Sequence, residues 1–377
     1  MRTASMRRLS GGVIGLSCAA ALAQGAPGNG SVTMYGVMDA ASEISRSGRG
    51  SVLRLISGGN LGSRLGFRGT EDLGDGLSAV FRLEQGVNID DGTLAQGGRG
   101  FGREASVGLS SRTWGTVLAG RLPTPYYVVH STVDAFAWVG SGGLPSVVRS
   151  ESASRPLLPL QTAARADNAI GYASPDWGGL QLRALGALGE GGPATGRAWS
   201  ASARYAAGPF GLTLGHMRQE GANNANGRVQ ATVAGGSYDF GVARLFAGYT
   251  DEKNSCTTCT AGLARVTGAS VSEFRLINLG ARAPLGGLTT LIAQATRLQD
   301  RSRYAAPTGN RNTNWFAVGA EYNLSRRTML YGTLGTIANH NGSRYALGSG
   351  TAAQPANAVA SGDPRASTAQ LGVRHLF

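Results

Sequence analysis

Hydrophobic and polar residues alternate with a period of two along most of this chain. In Arg64-Leu65-Gly66-Phe67-Arg68 the two arginines share one face, and Leu65 and Phe67 share the other. In the run 77–84, Ser78, Val80, Arg82 and Glu84 oppose Leu77, Ala79, Phe81 and Leu83. Leu180, Leu182 and Ala184 oppose Gln181 and Arg183, while Ala203 and Tyr205 oppose Ser202 and Arg204. At the end of the chain, Ala369, Leu371, Val373, His375 and Phe377 oppose Thr368, Gln370, Gly372, Arg374 and Leu376. Successive side chains of a strand point to opposite faces, so the pattern predicts many strands, each with one apolar and one polar face.

Seven short runs rich in Gly, Pro, Asp and Ser separate these segments, as tight turns require. They lie at 69–76, 111–115, 174–179, 207–209, 238–241, 284–287 and 325–327. Between them fall longer connections, at roughly 45–60, 87–100, 122–166, 189–196, 220–227, 251–271, 299–311 and 339–366. Seven turns alternating with eight loops imply about sixteen strands with both termini on one side. The expected fold is all-β: a 16-stranded antiparallel transmembrane β-barrel, since only helices and closed barrels satisfy every backbone group in lipid. Every apolar segment after the N-terminal region is interrupted by Arg, Asp or Gly, which leaves no candidate for a membrane helix. A final strand ending on Phe377 fits the closure of such a barrel.

Parity then assigns the charges. An arginine facing lipid at mid-bilayer costs about 2–4 kcal/mol, so the strand arginines belong to the lumen. Trp114, Tyr172, Trp177, Tyr205, Phe210, Tyr238, Phe240 and Tyr322 lie beside the short turns. They predict an aromatic girdle at the headgroup layer.

Residues 1–23 read as a signal peptide: Arg2, Arg7 and Arg8, an apolar stretch over 13–20, then Ala21-Leu22-Ala23. Residues 24–377 form one unit with no linker. The formal charge is +13, or +10 without the three leader arginines, and 34 of the 35 basic residues are arginine. These are dispersed rather than clustered, so nucleic acid is not an expected partner.

Several segments resemble the general trimeric porins of Gram-negative outer membranes, especially the β-proteobacterial branch. They are Val32-Thr33-Met34-Tyr35-Gly36-Val37-Met38-Asp39, residues 62–76, residues 101–109, residues 165–175 and Val373-Arg374-His375-Leu376-Phe377. The resemblance implies a sixteen-stranded barrel, a homotrimer in outer-membrane lipid and lipopolysaccharide, and passive diffusion of small hydrophilic solutes and ions. It also implies that the third external loop, about 122–166, folds inward as a constriction. Asp134 would then face a row of wall arginines, Arg64, Arg103 and Arg165 by match with the family, with Arg68 and Arg82 nearby by parity.

A row of one sign biases which ion enters. Residues 122–166 carry Asp134 and Glu151 against Arg149, Arg155 and Arg165, and Val37 stands where some relatives place a lysine. With the positive overall charge, a weak anion preference is expected. The alternative is a substrate-selective channel on the same barrel, because Tyr126, Tyr127, Phe136 and Trp138 crowd the constriction loop. Cys256 and Cys259 supply two ligands where zinc sites use four; in an exported protein they read as a loop disulfide. The four histidines lack metal-site spacing and no G-x-S-x-G occurs, so neither an enzyme nor a cofactor is expected.

Overall fold

The computed structural model describes residues 30–47, 50–144, 147–149, 164–189, 196–221, 227–255, 269–304, 311–343, 345–347 and 365–377. Residues 1–23, read above as a signal peptide, and the Cys256/Cys259 pair lie outside them. Sixteen antiparallel strands close into one barrel. They are β1 (Ser31–Ser47), β2 (Gly50–Ser57 and, after a break, Arg64–Gly74), β3 (Leu77–Gly86), β4 (Glu104–Ser111), β5 (Gly115–Pro123) and β6 (Arg165–Ala173). There follow β7 (Leu180–Ala187), β8 (Ala198–Ala207), β9 (Phe210–Glu220), β10 (Arg228–Asp239) and β11 (Arg244–Asn254). The rest are β12 (Ala269–Leu285), β13 (Thr289–Asp300), β14 (Arg311–Asn323), β15 (Thr328–His340) and β16 (Arg365–Leu376).

Each strand pairs with its neighbour in sequence, and β16 pairs back onto β1 from Val37↔Leu376 to Arg46↔Ser367. Beyond that ladder, Gly36 and Phe377 exchange two backbone hydrogen bonds of 3.1 and 3.2 Å. The Phe377 ring occupies the space where a side chain at Gly36 would stand, 2.2 Å from an added Cβ. The final residue is thus fitted to the first strand.

All seven short turns join strands where the sequence places them. The first is tighter than expected: β2 runs to Gly74, and Asp75 and Gly76, both with positive φ, make the reversal. An Asp-Gly pair in that conformation matches the right-handed twist of flanking strands. The first long connection differs more. Instead of a loop over 45–60, β1 continues to Ser47 and pairs with Gly50–Ser57. Polar and glycine residues over 45–51 read as loop, yet Val52-Leu53-Arg54-Leu55-Ile56 pairs onto β1 and carries the outward apolar face on through Ile44, Leu53 and Leu55.

Alternation is strict at the wall. Val32, Met34, Val107, Leu109, Ile170, Leu182, Leu212, Leu279, Phe316 and Leu371 are exposed on the outer face. The eight aromatics beside the turns are all exposed too. No helix among the described residues is long and apolar enough to cross a membrane; the apolar band belongs to the strands.

The main buried cluster lies inside the barrel. Tyr126, Val129, Val133, Trp138 and Leu144 of the long connection after β5 pack with Met217, Val233, Leu276, Leu298, Trp315 and Ile337. These wall residues alternate with the outward set, so the connection rests on inward-facing side chains.

Candidate channel wall and constriction

Two halves of the inner wall differ. On β2–β6 the inward positions are charged. Glu84 of β3 accepts from Arg103 Nε at 2.6 Å and from the Tyr35 hydroxyl at 3.0 Å, and Arg64 Nη1 stands 3.6 Å away as an ion pair. Arg82 pairs with Glu104 at 3.3 Å. Arg68 lies over the Tyr35 ring at 5.5 Å. Arg165 lies over Tyr127 at 5.5 Å and donates from Nε to the Arg103 carbonyl at 2.7 Å. The fold therefore brings Arg64, Arg103 and Arg165 together, with Arg68 and Arg82 along the same face. Five guanidinium groups against Glu84 and Glu104 leave this wall at 5 − 2 = +3. Among the described residues, Arg68 and Arg165 form no ion pair.

On β8–β16 the inward positions hold the connection after β5. Thr124 caps the short helix α1 (Pro125–His130), its side chain accepting from Tyr127 N at 3.3 Å, with Pro125 in the first turn. Tyr126 N donates to Ser200 Oγ at 2.9 Å. The next residues lie over glycines. An added Cβ at Gly235 or Gly248 would stand 2.9 or 3.0 Å from Val133, one at Gly280 2.6 Å from Ala135, and one at Gly319 2.9 Å from Phe136. Polar hooks fix the backbone between those contacts. Asn278 donates to the Val133 carbonyl at 2.6 Å and Arg282 to the Ala135 carbonyl at 2.9 Å. Gln294 accepts from Ala135 N at 2.9 Å and donates to the Gly142 carbonyl at 3.1 Å. Ser141 N donates to Gln370 of β16 at 3.2 Å, at the seam of the barrel.

Asp134 departs from its expected place. Its side chain is buried, and its carboxylate accepts from the backbone N–H groups of Phe136 (2.9 Å), Trp138 (3.2 Å) and Leu144 (2.8 Å). It ties the connection to itself and presents no charge to the arginines. Burial pushes its pKa from 3.8 up to about 6, opposed by the donors from Leu144 and Phe136. His130 is likewise buried, which pushes its pKa from 6.5 down to about 3. It accepts from Trp138 Nε1 at Nδ1, which puts its proton on Nε2, 2.9 Å from Thr250 Oγ1. The aromatics behave similarly: Tyr126, Phe136 and Trp138 are buried against the wall, and Tyr127 alone of the four is partly exposed.

Sequence reading placed Glu84 inward without its partners Arg103 and Arg64, and missed Gln294. Parity places both inward, but only the register of β2–β3 and β13–β14 shows what each one faces. It also missed a second internal segment: Tyr345–Leu347 pairs with Val147–Arg149. The Tyr345 hydroxyl lies 3.4 Å from Asp300, and Asn339 holds its backbone at both N–H (3.1 Å) and carbonyl (2.9 Å).

A closed barrel, apolar outside and charged within, defines a transmembrane channel protein of the outer-membrane type. The Gram-negative porin family matches residues 12–342, and the chain belongs to that family. It is 31% identical over 359 residues to outer membrane porin protein 32 of Delftia acidovorans, covering 92% of this chain and 94% of that one. It is 31% identical over 350 residues to an outer membrane porin protein of Bordetella pertussis, covering 80% and 87%. Among solved structures, the anion-selective porin from Comamonas acidovorans superposes with a TM-score of 0.76 at 29% identity, over 92% of this chain and all of that one. The protein is an outer-membrane diffusion channel.

Proposed function

We propose that this channel passes small hydrophilic solutes and ions without binding one of them selectively, and that it prefers anions weakly. The observation carrying this reading is the imbalance across the lumen: five arginines and two glutamates on the β2–β6 wall, with Asp134 buried opposite. Cations in a channel with low-dielectric walls attract anions along its length. Burial of Asp134 removes the negative charge that would have tempered this field. The similarity to an anion-selective porin supports the same sign.

In this reading residues 124–144 narrow the passage, and Arg64, Arg68, Arg82, Arg103 and Arg165 line it. Burial of Tyr126, Phe136 and Trp138 removes most of the aromatic surface that a substrate-selective site needs. Residues 1–23 direct export and are cleaved, and three copies assemble, as the family resemblance implies. The test is the zero-current potential in a salt gradient across a planar bilayer. An anion-preferring sign supports the proposal, and clear cation selectivity overturns it. Liposome swelling rates ordered by solute size complete the test, whereas saturation by one solute supports a selective channel instead.

A further inference from the structure

Strand β2 leaves its ladder once, and leaves it inward. Ala40 pairs with Ser57 and Val37 with Arg64, so two residues of β1, Met38 and Asp39, face the six residues 58–63. The 6 − 2 = 4 extra residues must fold to one side of the sheet. Gly58 starts the excursion at a φ of +72°, which glycine adopts without steric penalty. Gly59 then lies against the inner wall: an added Cβ would stand 2.4 Å from the Tyr331 hydroxyl and 2.9 Å from Ala41. Residues 58–60 are buried, and the excursion forms a shelf inside the barrel.

Asp39 holds this shelf from end to end. At its entry the Asp39 carbonyl accepts from Gly58 N at 2.8 Å. In its middle the carboxylate accepts from Asn60 N at 3.1 Å and Leu61 N at 2.7 Å, and from the Tyr331 hydroxyl of β15 at 2.6 Å. At its exit Ser63 Oγ accepts from Asp39 N at 3.0 Å and donates to the Asp39 carbonyl at 3.1 Å. Asp39 is fully buried, so leaving any of these groups unpaired is costly.

The shelf touches both walls of the lumen. Asn60 Oδ1 accepts from Arg374 at 2.6 Å, and Asn60 Nδ2 donates to Glu321 at 3.3 Å. Glu321 pairs with Arg282, whose other arm donates to the Ala135 carbonyl of the seated segment. On the arginine side, the Gly62 carbonyl accepts from Arg64 Nε at 3.0 Å. That bond holds the Arg64 guanidinium while its Nη1 stands 3.6 Å from Glu84, beyond hydrogen-bond length. Held there, the cation is less neutralised by the carboxylate than it would be in contact.

We propose that Asp39 is a positioning residue for the constriction: through the shelf 58–63 it aims Arg64 into the passage and keeps that guanidinium from closing on Glu84. Asp39 itself is buried and meets no permeating ion. The inference rests on the channel reading above only for the place of Arg64 beside the ion path. Its signature is a sign. Loss of a wall carboxylate alone makes the passage more positive, whereas release of Arg64 onto Glu84 makes it less so.

Two variants separate these effects. Asp39→Ala and Asp39→Asn remove the same charge, but the asparagine oxygen still accepts from the shelf and its amide donates to Tyr331. Each is measured as the full-length channel in planar bilayers, alone and combined with Arg64→Gln, once heat-modified electrophoretic mobility verifies that it is folded. Zero-current potentials at low salt are expected to give Asp39→Ala an anion-to-cation permeability ratio about twofold or more below that of Asp39→Asn, within what one unit charge near the ion path supplies. The gap is expected to close when residue 64 is glutamine, because coupled sites are non-additive. If Asp39→Ala does not fold, Leu61→Pro removes one donor to Asp39 and no charge, and is expected to lower the ratio relative to wild type unless Arg64→Gln is present. A gap that closes in this way supports the positioning role even in a wild-type channel that prefers cations, a result that would overturn only the selectivity proposed above. Equal ratios for Asp39→Ala and Asp39→Asn overturn the inference, as does a gap that persists in full with Arg64→Gln.

Discussion

The β2–β6 wall and the β8–β16 wall are built on one alternation rule and serve opposite ends. On the first, inward positions carry long cations held by Glu84, Glu104 and two tyrosine rings. On the second, inward positions include glycines, amides and a set of large apolar side chains that accept a folded segment against them. Inward parity is therefore only half of a functional assignment. A large charged residue at an inward position keeps water beside it, and a glycine there invites a neighbour in. The difference turns a symmetric cylinder into a passage with one electrostatic side and one covered side.

The sharpest way to break this division is to remove the room on the covered side. Gly280→Leu puts a branched side chain where Ala135 lies, 2.6 Å from the added Cβ. Overpacking of this kind costs about 1–3 kcal/mol. Because the barrel ladder is independent of the segment, the strain is expected to unseat residues 133–142 rather than open the barrel. Single-channel recording checks this: conductance and open-channel noise are expected to rise together.

Removing charge from the other side is expected to have an intermediate effect. One unit charge about 8 Å from the ion path, at an effective dielectric of about 40–80, contributes about 0.5–1 kcal/mol. Replacing Arg165 by Gln is therefore expected to lower the anion permeability about two- to sixfold and to raise the cation permeability by a like factor at low salt, and less at high salt. Arg165→Gln is the most informative choice, since among the described residues that guanidinium has no carboxylate partner and its loss strands none. Reversal potentials measure the change.

The smallest effects on permeation concern Asp134. Asp134→Asn replaces one of the accepting oxygens by an amide donor, at a cost of about 1–3 kcal/mol to the seated segment. Noise is expected to rise while the permeability ratio stays put, because the carboxylate faces backbone N–H groups and not the passage. Acidity acts on the same group. With a pKa near 6 when seated and 3.8 when released, Asp134 holds a proton at pH 5 that the released segment has lost. Seating therefore strengthens as pH falls from 7 to about 4 and levels off below, by at most about 3 kcal/mol. Protease nicking within 124–144 should slow over that range, and Asp134→Asn should abolish the dependence.

The strand pattern, the seven turns and the outward aromatics were legible because lipid imposes a strict period of two and water imposes turn chemistry. The extension of the β1–β2 hairpin was not, because the Ser, Gly and Arg residues over 45–51 mask the alternation that Leu53 and Leu55 resume. Parity pointed Arg64, Arg68 and Arg82 inward, whereas Arg103 and Arg165 came from the family resemblance. The burial of Asp134 was not: its partners are backbone N–H groups of Phe136, Trp138 and Leu144, which converge only after the segment folds. The amides of Asn278 and Gln294 likewise look like ordinary lumen residues until the glycines beside them are filled.

The unequal walls are tested most directly by thiol modification in open channels. Arg82→Cys and Thr296→Cys are compared in protein with Cys256 and Cys259 replaced by serine, using a small anionic thiol reagent and the current as readout. Both positions point inward, yet Arg82 is about half exposed and Thr296 is buried beneath the seated segment. The Arg82→Cys channel is expected to react at once and lose current, and the Thr296→Cys channel to react orders of magnitude more slowly. Equal rates at the two positions would contradict the account, because both walls would then face open water.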